Sequence, residues 1–77
     1  MIDAYILIQT QAGRGSEVAR ALAGLSGVTE CDGVTGPYDV IAKVSAESLD
    51  ELGRLVASGI QTIEGVTRTL TCAVMHF

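Results

Sequence analysis

Gly36-Pro37-Tyr38-Asp39 is the stretch of this chain whose residue types best suit ligand chemistry. A glycine beside a proline makes a tight turn, and such a turn can expose backbone N–H groups that receive a carboxylate. Asp39 is the only carboxylate next to the turn. It can take an ammonium through a charge-assisted hydrogen bond. Together they suit a zwitterion, that is, a free α-amino acid. Thr69 and Thr71, expected on the sheet face away from the helices, can add hydroxyl contacts. The same four turn residues also read as a hairpin whose aspartate is a turn residue and nothing more. On the residues alone both readings stand.

The other candidates are weaker. His76 is the one histidine, next to the C-terminal Phe77, and no orienting neighbour stands near it in sequence. No catalytic residue, metal set or cofactor motif is expected: neither GxGxxG nor GxxxxGK[ST] occurs. Gly13-Arg14-Gly15 precedes a helix and reads either as an anion site or as a flexible loop and cap. Cys31 and Cys72 lack CxxC spacing and are too few for a disulfide framework. They are expected as reduced, small apolar residues on opposite sheet edges.

The elements that must position the turn follow from periodicity. Ile2, Ala4, Ile6 and Ile8 alternate through a first strand from Ile2 to Gln9. Ser16 is expected to cap a helix carrying Val18, Leu22 and Leu25, closed by Gly27. Val28 to Val34 reads as an edge strand, because Glu30 and Asp32 fall in the Val28/Val34 register. The third strand carries Val40, Ala42 and Val44. Ser48 and Glu51 form a capping box for a second helix with Leu52, Val56 and Ile60 on its apolar stripe. In the last strand Val66, Leu70, Cys72 and Val74 share one face, and Thr67, Thr69, Thr71, Ala73 and Met75 the other.

Gly27-Val28-Thr29 follows the first helix, and Gly65-Val66-Thr67 follows the second. The echo favours a split βαβ duplication: an α+β, ferredoxin-like βαββαβ sheet with two helices on one face. The opposite face, expected to hold Tyr5, Leu7, Ile41, Thr69, Thr71, Ala73 and Met75, is too apolar to stand in water. A face-to-face homodimer of the dimeric α/β barrel type would cover it.

Composition agrees. The chain has 77 residues, 48% of them hydrophobic, which fits one domain over residues 1–77 with more apolar surface than its own core can hide. Net charge is −4, and Arg14, Arg20, Lys43, Arg54 and Arg68 are scattered, so direct DNA binding is not expected. No stretch reaches the roughly 20 apolar residues of a membrane span. No signal peptide is visible, which makes the cytoplasm the expected compartment.

Thr35-Gly36-Pro37-Tyr38-Asp39-Val40, followed by Gly65-Val66-Thr67-Arg68-Thr69-Leu70-Thr71, resembles the effector-binding (RAM) domain of the Lrp/AsnC feast/famine transcriptional regulators. The resemblance covers essentially the whole chain. It implies a homo-oligomer, dimers joining into tetramers or octamers, with a small amino-acid effector bound between dimers. It points to Gly36, Tyr38, Asp39, Thr69 and Thr71. Pro37 takes the variable place in the motif and stiffens the loop. Met1 opens directly into the first strand, so a stand-alone module lacking the family's helix-turn-helix domain is expected. Such a module could act by joining a full-length Lrp/AsnC regulator. Two other readings share the fold: a small dimeric α/β-barrel monooxygenase-like enzyme, and a purely structural assembly domain.

Overall fold

The computed structural model describes residues 1–77. Strand β1 (Ile2–Thr10) buries Ala4, Ile6 and Ile8 completely on one face. Helix α1 (Gly15–Ala23) buries Val18 and Leu22, one turn apart, against that face. Strands β2 (Val28–Gly33) and β3 (Val40–Ala46) follow. Helix α2 (Leu49–Arg54) then runs into a π-helical turn (Leu55–Ile60), and β4 (Val66–Ala73) completes the order. The strands pair antiparallel in the order β2-β3-β1-β4. This is the βαββαβ sheet, with Cys31 and Cys72 on opposite edges as free thiols.

The core is wholly apolar, and both helices contribute to it. Leu52, Val56 and Ile60 recur every four residues and are all buried. In a regular α-helix, positions four apart drift by about 40° per step. The wider π turn, closed by Gln61 N–H donating to the Val56 carbonyl at 2.8 Å, reduces that drift and keeps Ile60 over the sheet. At the start of α2, Ser48 Oγ accepts from Glu51 N–H at 3.1 Å, as its capping pattern requires. The Glu51 carboxylate receives the N–H of Glu47, one residue before the cap.

The helix ends of the first half differ from expectation. Arg14, not Ser16, precedes α1, because Arg14 N–H bonds back to Gln11 O and starts the turn earlier. The helix stops at Ala23, where Gly24 and Leu25 N–H groups fold back to Ala21 O and Leu22 O. Gly27, at φ +98°, instead turns the chain into β2.

Two strands change face part-way, and this corrects the expected side-chain assignment. In β2 the register shifts between Val28 and Glu30. Val28 pairs with Val44 and packs against the core, whereas Glu30 pairs with Lys43 and Asp32 with Ile41 on the open face. Cys31, opposite Ala42, faces α1. In β4 the shift falls between Val66, paired with Thr10, and Arg68, paired with Gln9. Thr67 is the extra residue. Beyond it, Leu70 and Cys72 pair with Leu7 and Tyr5 on the open face. Thr69, Thr71 and Ala73 pair with Ile8, Ile6 and Ala4, so they lie on the helix side of the sheet, contrary to expectation. A bulge inserts one unpaired residue and so reverses the parity of everything after it.

Both bulges sit in the repeated Gly-Val-Thr. Thr29 Oγ1 donates to the Lys43 carbonyl at 3.1 Å, and Thr67 Oγ1 donates to the Gln9 carbonyl at 3.2 Å. Each half of the chain thus turns at a positive-φ glycine, drops a valine into the core and fixes its bulge with a threonine hydroxyl on the neighbouring inner strand.

Candidate functional site

The Gly36-Pro37-Tyr38-Asp39 turn leads directly into β3 and is tied at several points to the end of β1. Gly36 holds φ +134°, a backbone state that glycine adopts without strain. The Pro37 carbonyl accepts from Gln9 Nε2 at 2.8 Å. Asp39 N–H donates to Ile8 O, and Asp39 O accepts from Val34 N–H, both at 2.9 Å. Asp39 Oδ2 accepts the Thr10 N–H at 2.8 Å, with the Thr10 hydroxyl 3.3 Å away. Tyr38 is half-buried, while Gly36, Pro37 and Asp39 are exposed.

This geometry divides the aspartate's work. One oxygen fastens the turn to β1, where the bulge begins; the other makes no hydrogen bond within the chain. The turn's donors are equally restricted. Pro37 has no N–H and Asp39 N–H is spent on Ile8, so Gly36 and Tyr38 supply the free backbone donors of the turn.

Asp39 also lines an open groove of about 760 Å³ between the loop after β1 and the segment after β2. Thr10, Gly13 and Ser16 line one side, and Val34 and Thr35 the other. The start of α1 faces this groove without a side-chain cap. Arg14 is turned elsewhere: its guanidinium pairs with Glu17 at 2.7 Å and Glu64 at 3.7 Å.

Thr69 and Thr71 do not join Asp39 within one protomer. They lie on the helix side of β4, and β3 and β4 flank β1 on opposite sides. The Thr69 hydroxyl accepts from Gln61 Nε2 at 3.0 Å, and Thr71 is exposed. Three residues around these groups were not marked by the sequence: Gln9, Thr10 and Gln61. A Gln-Thr pair closing a strand opposite a hairpin turn was the available signal for the first two.

Comparisons with known proteins agree with this architecture. Residues 3–77 match the Lrp/AsnC ligand binding domain. The HTH-type transcriptional regulator FL11 of Pyrococcus furiosus is 36% identical over 74 residues, covering 96% of this chain and 48% of that protein. Homocitrate synthase of Sulfurisphaera tokodaii is 32% identical over 75 residues, but those make up only 16% of the enzyme. The chain spans about half the length of the regulators it matches.

Among solved structures, TTHA0845 from Thermus thermophilus superposes with a TM-score of 0.94 at 39% identity, covering 100% of this chain and 96% of that one. E. coli AsnC gives 0.92 at 30% identity, covering 99% of this chain and 52% of that one. The regulator NMB0573 of Neisseria meningitidis, solved as an L-Met complex, gives 0.86 at 18% identity, with 97% and 50% covered; that likeness speaks to the fold. A whole-chain family match, regulator relatives and a shared βαββαβ sheet lead to one assignment: the chain belongs to the Lrp/AsnC family, as its ligand binding domain.

Proposed function

We propose that residues 1–77 work as one amino-acid effector-binding and oligomerisation domain without enzymatic activity. The observation that carries the reading is the state of Asp39. Its Oδ2 is fixed on Thr10 and its Oδ1 is left to receive a ligand, while the Gly36 and Tyr38 N–H groups beside it in sequence have no partner. A carboxylate on those N–H groups and an ammonium on Oδ1 describe a free amino acid. Thr69 and Thr71 would reach such a ligand from a neighbouring protomer, the site then lying between dimers. The L-Met complex of a protein with this fold is in keeping with the reading.

The open sheet face supports assembly. Tyr5 is 41% and Leu70 46% exposed there, with Leu7 and Ile41 half-buried beside them. A dimer through this face, joining into tetramers or octamers, covers that surface and brings β4 of one dimer to the turn of another. Through the same contacts the domain would join a full-length Lrp/AsnC regulator. An enzyme of the dimeric barrel type would draw on polar groups converging inside a protomer, and this interior is apolar.

The test is a panel of free amino acids against the whole chain by thermal shift and calorimetry. A hundredfold excess over the dissociation constant stabilises the folded state by about 2.7 kcal/mol. A melting temperature unmoved by every common amino acid at millimolar concentration overturns the sensing role and leaves structural assembly.

A further inference from the structure

Every α-amino acid offers the turn the same ammonium and the same carboxylate, so the turn alone does not choose among them. The choice falls to whatever surrounds the ligand's side chain. Asp39 connects the two, because it belongs to the turn and also lines the groove of about 760 Å³ between the loop after β1 and the segment after β2. An ammonium on its free oxygen leaves the ligand's side chain a path into that groove.

The groove wall is polar and nearly uncharged. Gln11, Ser16 and Thr35 line it with one amide and two hydroxyls, all exposed and free of hydrogen bonds within the chain. The Thr10 hydroxyl is already engaged, 3.2 Å from Gln11 O and 3.3 Å from Asp39 Oδ2. Ala12, Ala19 and Val34 are the hydrophobic side chains of the wall, and all are small. Asp39 is its one ionisable side chain. Arg14 does not line the groove: Glu17 at 2.7 Å and Glu64 at 3.7 Å hold its guanidinium.

Resting on the amino-acid site of the proposed function, we propose that this groove selects an α-amino acid whose side chain ends in a carboxamide, the glutamine and asparagine class.

A carboxamide both donates and accepts, as the wall does. Its oxygen can accept from a Ser16 or Thr35 hydroxyl, and its NH2 can donate to a hydroxyl or to the Gln11 amide oxygen. An acidic side chain only accepts, and it brings a charge to a wall that holds no cation. The start of α1 gives it little help, because Glu17 in the first turn already answers the helix dipole. A cationic side chain only donates, and the one carboxylate of the wall is occupied by the α-ammonium. An aliphatic or thioether side chain would cover the amide and hydroxyls without bonding them, which costs their desolvation. Three small apolar side chains return little buried area for that cost. Serine and threonine carry their hydroxyl on the β carbon, close to the turn and short of the far wall.

Glutamine, glutamate and methionine have side chains of similar length and differ in their end group, so they separate chemistry from size. Each is titrated into the whole chain by calorimetry, beside asparagine, lysine and leucine. An amide amino acid is expected to bind tightest, with glutamate, methionine, lysine and leucine each weaker by about tenfold for one lost hydrogen bond or one unpaired charge. The double variant Ser16→Ala/Thr35→Val removes both hydroxyls at exposed positions, and its fold is checked by circular dichroism. It should narrow the preference for glutamine over methionine while still binding both. An unchanged preference in that variant overturns the groove as the selecting element. Glutamate, methionine, lysine or leucine binding as tightly as the amides overturns the selection and leaves the amino-acid reading standing. A wild type that binds no amino acid at millimolar concentration overturns that reading itself, and the selection with it.

Discussion

Asp39 fastens its turn to β1 through one oxygen, and in the proposed site the other oxygen receives the ligand. Asp39→Ala removes both the free oxygen and the Thr10 bonds, so it lowers stability as well as any ligand response. Asp39→Asn separates the two roles. Its amide oxygen can still accept Thr10 N–H, while the charge is gone and an NH2 replaces the free oxygen. We expect the asparagine variant to melt within about 1 kcal/mol of wild type and to lose the amino-acid-induced rise in melting temperature. A full rise in that variant would place the ammonium elsewhere. The aspartate was legible from its turn, but its anchor was not, because Thr10 lies 29 residues away in sequence. The thiols give a second residue-level prediction. Burial, and then the neighbouring Asp32 charge, push the Cys31 pKa above 9.0. The fold thus favours the neutral thiol, a contribution present below about pH 9 and lost as pH rises through the higher folded value. At pH 8 Cys31 should react slowly with a thiolate-selective reagent at every protein concentration. Cys72 stands on the open face, and its labelling should accelerate on dilution as the dimer dissociates. A Cys72 rate independent of concentration would argue against cover of that face.

At the scale of elements, the repeated Gly-Val-Thr was legible as a sequence echo, but its purpose was not. Period-two alternation separates the two faces of a strand without saying where the phase slips. Leu70 and Cys72 were placed with Val66 because all three are even-numbered; the bulge at Thr67 parts them. The glycines of the repeat are fixed by conformation and space together. Gly65 has φ +99°, and an added Cβ would lie 3.2 Å from both Arg14 Cβ and Val18 Cγ2. Gly27 has φ +98°, with Leu55 Cδ2 at 3.2 Å and Ser45 O at 3.3 Å. Gly65→Ala and Gly27→Ala should each cost about 1–3 kcal/mol in denaturant unfolding. Gly36→Ala, also at positive φ but with open space around its Cβ, should cost less than either. Thr67→Val should lose about 0.5–1.5 kcal/mol for one hydrogen bond. An Ala variant at Gly65 as stable as wild type would remove the case for a constrained turn. The early end of α1 was hidden for a related reason: Gly27 reads as the stop, and only the fold-back of Gly24 and Leu25 N–H to Ala21 O and Leu22 O ends the helix sooner.

For the whole molecule, charge and surface were easier to read than contacts. The scattered arginines have different surroundings: Arg14 is ion-paired near the groove and Arg68 lies on the open face. No single basic surface results within the protomer. Gel shifts with the chain alone at about 50 mM salt, where phosphate contacts are strongest, should show no complex. A salt-sensitive shift would mean that assembly gathers these cations. No helix of the chain is long and apolar enough to cross a membrane.

The two threonine bulges act as phase shifters, and that changes how such a surface can evolve. A substitution alters one side chain; removing one paired residue after the bulge, such as Arg68, would exchange the sides of every β4 residue beyond it. Leu70 and Cys72 would turn toward the helices, and Thr69 and Thr71 would take their place on the outer face. One codon lost just after either repeat would thus repaint a whole sheet edge while leaving the composition almost untouched. The identity of this surface is therefore written in the spacing of the chain as much as in its residues.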